Sequence, residues 1–203
     1  MLSKIKKFII DKIRDLIYIE ISENLEKYLK LQNLKELETL RNLNFCKINT
    51  QFSVGSGFKM NFEGTPDIIE IQDNVCCKNY CNFLIYNEAS LSIGDNVFIN
   101  NFSSINCLYD INIGANTMLG ESVKIYDHDH KHYQSEGKLI IDRNEFTFGK
   151  VSIGRNCWIG SNVTILKGVI IGDNCIIGAN NLIYKSVPAN SVVKANTSYT
   201  ISA

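Results

Sequence analysis

Isoleucine returns at every sixth residue between Ile153 and Pro188, and this spacing dominates the second half of the chain. Six consecutive units open with Ile, and glycine follows it in four of them. A period of six differs from the helical period and from the alternation of a single strand, and it is typical of a parallel β-helix built from hexapeptides. With three units per coil, we expect residues eighteen apart to stack, such as Ile153 on Ile171 and Cys157 on Cys175.

The same pattern continues less regularly upstream. Ile71, Cys77 and Phe83 open units six apart, and short slips separate the later units. Slips of one or two residues fit bulged corners of a coil. The period stops altogether over residues 126–150, and we predict a long loop there, because long excursions from a rigid scaffold usually carry function.

A different pattern precedes the repeats. Apolar residues follow the i, i+3, i+4 spacing of an amphipathic helix, as at Ile13 and Ile17. We therefore predict a helical segment over residues 1–43 and a β-helix domain over residues 44–203. The favoured role of the helix is packing on the β-helix or on a neighbouring subunit. The alternative is association with a membrane surface through the lysine-rich residues 1–30.

Charge and cysteine content narrow the function classes. Lys and Arg balance Asp and Glu at 21 each, so no general attraction to nucleic acid is expected. The seven cysteines lack the spacing of a metal site and are predicted to be small buried hydrophobes in a reducing compartment. No stretch has the length and apolar character of a membrane span, and charges interrupt the first residues, so we expect a cytoplasmic protein without a signal peptide.

All three histidines of the chain lie in the excursion, at His128, His130 and His132. Three interpretations are open for this cluster. Histidine titrates near neutrality and could act as a general base. Three imidazoles on one side of an extended segment could hold zinc. The third interpretation is a solvated loop, because clustered titratable groups mark sites only as a tendency.

Residues 71–193 resemble the left-handed β-helix acyltransferases, also called hexapeptide-repeat acetyltransferases. Within them the chain looks most like the galactoside, maltose and polysaccharide O-acetyltransferase branch. The resemblance implies a mainly β fold with a left-handed parallel β-helix. It also implies a homotrimer with active sites between adjacent subunits, acetyl-CoA as co-substrate and no metal. It further implies that a histidine deprotonates the acceptor hydroxyl, which attacks the thioester directly. Counting from Ile113-Gly114 without a gap selects His130 for this role, with His128 as the rival.

The resemblance also implies contacts for both substrates. The stretch Asn100–Ser103 is similar to an Asn-Phe-Asn motif of the family, so Asn101 and, less directly, Asp110 are the expected acceptor contacts. Trp158 lies at the sixth place of its unit, should point outward, and is expected to line the acceptor and cofactor sites. The remaining contacts expected for CoA are Gly160, Ser161, Ala179 and Lys185.

Departures from the family pattern affect the expected substrate contacts. Residues 195–198 replace the usual ending after the last coil, so the C-terminal contacts with CoA are expected to differ. The interval from the histidines to Trp158 is longer, and the helical segment differs from the small domain of the maltose branch, and both points favour a polysaccharide or surface-glycan acceptor over a free disaccharide. We therefore predict an acetyl-CoA-dependent O-acetyltransferase that modifies a sugar hydroxyl of a capsular polysaccharide, a lipopolysaccharide or another surface glycan. The alternatives are an acetyltransferase of an amino sugar or antibiotic, and a β-helix scaffold without enzymatic activity.

Overall fold

The computed structural model describes residues 2–194, apart from the side chains of residues 2–6, 8–10, 26 and 30. The chain divides into two compact units, Met1–Thr39 and Leu40–Ala203. Helix α1 (Leu2–Arg41) forms almost all of the first unit. Within the described residues, no helix is both long and apolar enough to cross a bilayer. The two predicted roles of the helix stay predictions. The side chains of Lys4 and Lys6 and the ending at residues 195–198 lie outside the described part of the chain.

Three parallel sheets form the body of the second unit. Sheet A contains β1 (Cys46–Ile48), β4 (Ile68–Ile71), β7 (Ser90–Ile93), β10 (Asp110–Ile113), β15 (Val151–Ile153) and β18 (Ile170–Ile171). Sheet B contains β2 (Ser53–Val54), β5 (Cys76–Cys77), β8 (Phe98–Ile99), β11 (Met118–Leu119), β16 (Trp158–Ile159), β19 (Ile176–Ile177) and β21 (Val192–Val193). Sheet C contains β3 (Lys59–Glu63), β6 (Asn82–Tyr86), β9 (Ser104–Cys107), β12 (Lys124–Tyr126), β17 (Thr164–Ile165) and β20 (Leu182–Ile183).

The chain visits sheets A, B and C in turn, which confirms the predicted parallel β-helix and gives it about six coils. We call the turns between the sheets the AB corner, the BC corner and the CA corner. Ile153 pairs with Ile171, and Ile159 pairs with Ile177, so the predicted stacking at eighteen residues is confirmed in the last coils. Upstream coils are longer by a few residues, and these extra residues produce the slips seen in the sequence.

Aliphatic side chains fill the interior of the coils. The residue that opens each hexapeptide is buried, and Ile99, Ile125 and Ile159 are fully inaccessible to solvent. Replacing one such isoleucine by alanine should lower the free energy of unfolding by about 2–5 kcal/mol, because the neighbouring coils can collapse only partly onto the cavity.

Small residues whose side chains end in a hydroxyl or a thiol occupy the tight corners. Thr117 donates its hydroxyl to the carbonyl of Gly154 at 2.8 Å, and the Cys157 thiol lies 3.2 Å from the carbonyl oxygen of Gly172. Six of the seven cysteines are buried, Cys76 is half-buried and none forms a disulfide, so the predicted burial is confirmed for six of them. Burial raises the pKa of the Cys46 thiol to about 11, which keeps it protonated near neutral pH.

Asparagine shapes the AB corner. Asn156 and Asn174 have φ angles of 56° and 58°, a left-handed conformation that asparagine tolerates well. Their side chains form a ladder in which Asn156 donates to Asn174 at 3.2 Å and Asn174 donates to Asn190 at 3.1 Å. The ladder satisfies polar groups at the surface and links each coil to the next.

The excursion is a β-hairpin rather than the predicted loop. Strand β13 (His128–Ser135) pairs antiparallel with β14 (Lys138–Phe148), and Glu136 and Gly137 form the turn with φ angles of 50° and 74°. Two consecutive residues with positive φ match the right-handed twist of the paired strands. The hairpin leaves the CA corner after β12, and the β-helix resumes with Ile111 paired to Val151.

Candidate acyl-transfer site

Asp127 is a fully buried carboxylate at the base of the hairpin. Its Oδ1 accepts the backbone N–H of Leu108 at 2.9 Å. Its Oδ2 accepts the N–H groups of Tyr109 at 2.8 Å and of Asp110 at 2.9 Å. A buried charge is tolerable only with such partners, so this carboxylate fixes the CA corner of the third coil.

His128 lies directly against this carboxylate. Its Nδ1 is 3.2 Å from Asp127 Oδ1, and only 15% of its side chain is accessible. When Nδ1 carries the ring proton, it donates a hydrogen bond to the carboxylate. The lone pair of Nε2 is then free to accept a proton. The ring also makes edge-to-face contacts with Tyr126 and Phe146, at centroid distances of 6.1 and 5.5 Å. This arrangement supplies an oriented general base.

His130 is oriented in a weaker way. Its Nδ1 lies 3.2 Å from the carbonyl oxygen of Asp142, and its exposed ring lies 4.7 Å from the ring of Phe146. Phe146 therefore contacts both imidazoles. A neutral carbonyl can fix the tautomer of His130, but it does not stabilise the imidazolium that proton uptake creates as a carboxylate would.

His132 does not join the other two histidines. A β-bulge between His130 and His132 interrupts the alternation of side chains along β13, and His132 Nδ1 lies 3.2 Å from the carbonyl oxygen of His130. Among the residues that the structure describes, no group of three His, Cys, Asp or Glu side chains is arranged to hold a metal ion. The bulge thus removes the geometry on which the zinc interpretation depended.

Salt bridges surround the hairpin. Lys150 lies 2.8 Å from the carboxylate of Asp110, at the corner that Asp127 fixes. Lys167, which follows β17, lies 3.0 Å from the carboxylate of Asp129 and also donates to the hydroxyl of Thr147. These contacts tie both strands of the hairpin to the CA corner. An acceptor that used Asp110 would have to share this carboxylate with Lys150.

The predicted cofactor residues lie on another edge. Gly160, Ser161 and Ala179 belong to the BC corners of the last two coils, together with Asn101 two coils earlier. A Cβ atom on Gly160 would lie 2.6 Å from the backbone nitrogen of Ala179, so close stacking of coils already requires glycine there. The Oδ1 atom of Asn101 accepts the N–H of Asn79 at 3.0 Å, which gives this side chain a structural role as well.

Trp158 points outward from sheet B, as predicted, with 53% of its surface accessible. It pairs with Met118 on one side and Ile176 on the other, and both are partly exposed. Lys185 lies at the CA corner after β20, where its ammonium group is 5.5 Å from the centroid of the Tyr184 ring. Lys185 is therefore not on the same edge as the other residues predicted to bind CoA.

The predicted site residues consequently form two groups within one chain. One face of a coil separates the two corners, and a hexapeptide spans at most about 20 Å. The CA corner carries His128, His130, Asp110 and Lys185, whereas the BC corner carries Asn101, Gly160, Ser161 and Ala179.

Asp127 and Lys167 were not among the residues predicted from the sequence to form the site. Asp127 follows the inward-facing Ile125 by two residues, so it shares the inward side of the strand. A polar residue at an inward position is informative, because buried carboxylates are rare unless paired. That signal was available in the sequence. The approach of Lys167 to the hairpin depends on tertiary structure.

Comparison with known proteins agrees with this architecture. Residues 150–185 match the family model described as bacterial transferase hexapeptide (six repeats). The putative lipopolysaccharide biosynthesis O-acetyl transferase WbbJ of Escherichia coli is 31% identical over 113 residues, which are 53% of this chain and 58% of that protein. Nodulation protein L of Rhizobium leguminosarum bv. viciae is 43% identical over 109 residues, which are 53% of this chain and 54% of that protein. The matches thus span little more than half the length of these curated relatives.

A solved structure extends the likeness in fold. The hexapeptide-repeat containing acetyltransferase of Vibrio cholerae O1 biovar eltor, complexed with acetyl coenzyme A, aligns with a TM-score of 0.50 at 22% identity. The alignment covers 88% of this chain and 84% of that one. Residues 150–185 therefore carry repeats like those of the bacterial hexapeptide transferases, and the predicted resemblance to the hexapeptide-repeat acetyltransferases is confirmed.

Proposed function

We propose that the protein is an acetyl-CoA-dependent O-acetyltransferase that acetylates a sugar hydroxyl of a lipopolysaccharide, a capsular polysaccharide or another surface glycan. The observation that carries this proposal is the oriented imidazole of His128, held 3.2 Å from the buried Asp127 on a hexapeptide β-helix. Relatives named as a putative lipopolysaccharide biosynthesis O-acetyl transferase and a putative colanic acid biosynthesis acetyltransferase support the acceptor class. The many free cysteines fit a reducing compartment such as the cytoplasm.

In the proposed reaction, Nε2 of His128 takes the proton of the acceptor hydroxyl as the oxygen attacks the thioester carbonyl. A backbone N–H that faces the carbonyl oxygen would stabilise the charge that develops there. The carbon–sulfur bond then breaks, and the CoA thiolate takes the proton back from His128. Asp127 stabilises the imidazolium between these two proton transfers. The reaction needs no covalent enzyme intermediate, so none of the buried cysteines has to act.

We propose His128 as the base in place of His130, which the sequence register favoured. Both histidines have a partner at Nδ1, but only the partner of His128 carries a full negative charge. The side chain of His128 is also largely shielded from water, which strengthens its interaction with the carboxylate. His130 remains close enough to Phe146 to help shape the site.

The test compares His128→Ala with His130→Ala by the release of CoA thiol across a panel of glycan acceptors. His128→Ala should lose about 10²–10⁴-fold in kcat, the usual scale of general base catalysis, with unchanged acetyl-CoA binding. His130→Ala should lose less than about tenfold. The reverse ranking would select His130. Failure of the wild type to bind CoA or to release thiol with any acceptor would favour the scaffold alternative.

We further propose a homotrimer in which each active site combines the CA corner of one subunit with the BC corner of the next. The separation of the two groups of site residues within one chain supports this arrangement. Lys185 of one subunit would then reach a phosphate of CoA held against Gly160, Ser161 and Ala179 of its neighbour. Trp158, exposed on the adjoining sheet B, would line the same groove.

Subunit mixing tests the shared site. His128→Ala removes the base, and Ala179→Trp should fill the cofactor groove, so each variant alone should be inactive. Unfolding and refolding the two variants together should restore part of the activity, because some sites would then combine two intact halves. A mixture that refolds to the same oligomer but stays inactive would place each site within a single subunit.

A further inference from the structure

Two aromatic residues occupy backbone positions that the fold does not favour for them. At the BC corner, one residue of every coil has a positive φ, and from the second coil onward its N–H donates to a carbonyl of the preceding coil, as Phe102 does to Asn79 at 3.0 Å. In order of coils, this column consists of Gly57, Tyr80, Phe102, Ser122, Asn162 and Asn180. The left-handed conformation costs most residues roughly 1–2 kcal/mol and suits glycine and asparagine best. Tyr80 and Phe102 adopt it with φ angles of 58° and 60°.

The two rings form a flat, exposed stack. Their centroids are 5.4 Å apart and their planes differ by only 4°, while 57% of Tyr80 and 53% of Phe102 are accessible. A Cβ atom on Gly57 would lie 2.5 Å from the Tyr80 ring, so the glycine at position 57 leaves room for that ring. Aromatic stacking contributes about 0.5–1.5 kcal/mol beyond the burial of area, whereas the backbone strain of two such residues costs about 2–4 kcal/mol. More than half of each ring also stays exposed, so the stack adds little to the stability of the fold.

Space and polar groups accompany the exposed rings. The next member of the column is Ser122, whose side chain is much smaller than a ring, and Asn162 follows one coil later. Successive coils are about 4.8 Å apart, so Phe102 and Asn162 are separated by roughly 9–10 Å along the axis. Asn79 and Asn101 use their Oδ1 atoms for the backbone N–H groups of Ser56 and Asn79. Their Nδ2 groups have no protein partner among residues 2–194 and can donate to a ligand.

We infer that the stack of Tyr80 and Phe102 is a carbohydrate-binding subsite that holds a neutral pyranose ring of the acceptor. A pyranose presents an apolar C–H face to an aromatic ring and hydroxyl groups around its edge. Asn79 and Asn101 immediately precede the two ring residues in the chain, so their Nδ2 groups are available to pair with those hydroxyls. The subsite continues the edge that carries Gly160, Ser161 and Ala179, so it would bind a sugar of the glycan other than the one acetylated.

This inference rests on the proposed function for the identity of the acceptor, but sugar binding can be measured by itself. The probes are maltotetraose, cellotetraose and chitotetraose. Their binding is detected by saturation-transfer NMR, and their affinity is measured by titration. The wild type should bind at least one probe, with transfer to its tyrosine and phenylalanine protons. The double variant Tyr80→Asn/Phe102→Asn should bind it about tenfold more weakly, from the loss of two stacking contacts. Its melting temperature should stay equal or rise, because asparagine already occupies this place in the last two coils.

Glu88→Asn is the matched control, because Glu88 is an exposed CA-corner residue with a φ of 60°. It should leave sugar binding unchanged. The inference is wrong if the wild type binds none of the probes, or if the double variant binds them as tightly. A double variant that sediments as a smaller species would instead identify the stack as a contact between copies of the chain. Sugar binding without release of CoA thiol would contradict the proposed function but would still support the sugar-binding subsite.

Discussion

The BC corner and the CA corner are turns of the same coil, yet they differ in how much of the chain they admit. Every BC corner repeats one tight turn, and only its side chains change from coil to coil. The CA corner opens after β12 and admits the whole hairpin of β13 and β14 before the coil closes again. A uniform corner can only display side chains along a groove, whereas an interrupted corner can hold titratable groups in a shielded environment.

The largest effect should come from the carboxylate that holds the interrupted corner together. Asp127→Ala removes the acceptor of three backbone N–H groups, so the free energy of unfolding should fall by about 3–5 kcal/mol. Urea denaturation measures this change. Asp129→Ala is the control, since its half-exposed carboxylate should cost about 0.5 kcal/mol or less. Similar losses for both variants would mean that Asp127 does not organise the CA corner.

Two glycines compare the corners directly. A Cβ atom on Gly160, at the BC corner, would lie 2.6 Å from the backbone of the next coil, so Gly160→Ala should cost about 2–3 kcal/mol. Gly168, at the CA corner, has a φ of 76° and no neighbour within 4 Å of such an atom. Gly168→Ala should therefore cost only about 1 kcal/mol of backbone strain. Thermal unfolding of the two variants measures the ranking, and equal costs would show that coil spacing does not limit the BC corner.

A smaller and local effect is expected at the hairpin. Lys167→Met breaks the contacts with Asp129 and Thr147, so backbone amides of residues 128–148 should exchange hydrogen faster. Global stability should change by less than about 1 kcal/mol, because the pair is partly exposed. Lys47→Met removes a similar surface pair with Glu70 on sheet A and should leave the hairpin unchanged. Unchanged exchange in the Lys167 variant would show that the hairpin holds its place without this lysine.

The smallest expected effect is a change in the rate at which a disulfide reagent modifies buried thiols near the two corners. Burial first, and then the charge of Asp127, raises the pKa of Cys107 near the CA corner, while burial raises the pKa of Cys81 near the BC corner. Both thiols should stay protonated and unreactive toward a disulfide reagent at pH 8. Asp127→Asn removes the charge, lowers the pKa of Cys107 and so should speed its modification, with Cys81 as the internal control. Equal acceleration at both thiols would point to general unfolding of the variant.

Much of the fold was predictable from the repeats, since Ile153, Ile159 and their partners follow a spacing that only one kind of coil satisfies. The hairpin could not be foreseen in the same way. Its two strands pair with each other and bury little, so they lack the apolar alternation of a half-buried strand. Its turn, Glu136-Gly137, is a weaker signal than Asn-Gly or Asp-Gly.

The candidate site was predictable in its residue types but not in its connections. The sequence pointed to the histidine-rich segment, whereas the contact between His128 and Asp127 depends on which residues of the third coil present their N–H groups to that carboxylate. The stack of Tyr80 and Phe102 joins residues of two irregular coils, whose alignment follows from the stacking of strands. The period of six had already weakened in that part of the chain.

The pairing of Ile111 with Val151 has a consequence for how such proteins diversify. These residues lie on adjacent rungs of sheet A, so coils four and five stack as if the hairpin were absent. The two ends of the inserted segment are held by the coils, and the entropy of closing it grows by only about 0.6 kcal/mol for each doubling of its length. Segments of other lengths and sequences can therefore be grafted at this point by recombination, and a lineage can try new acceptors while its scaffold stays the same.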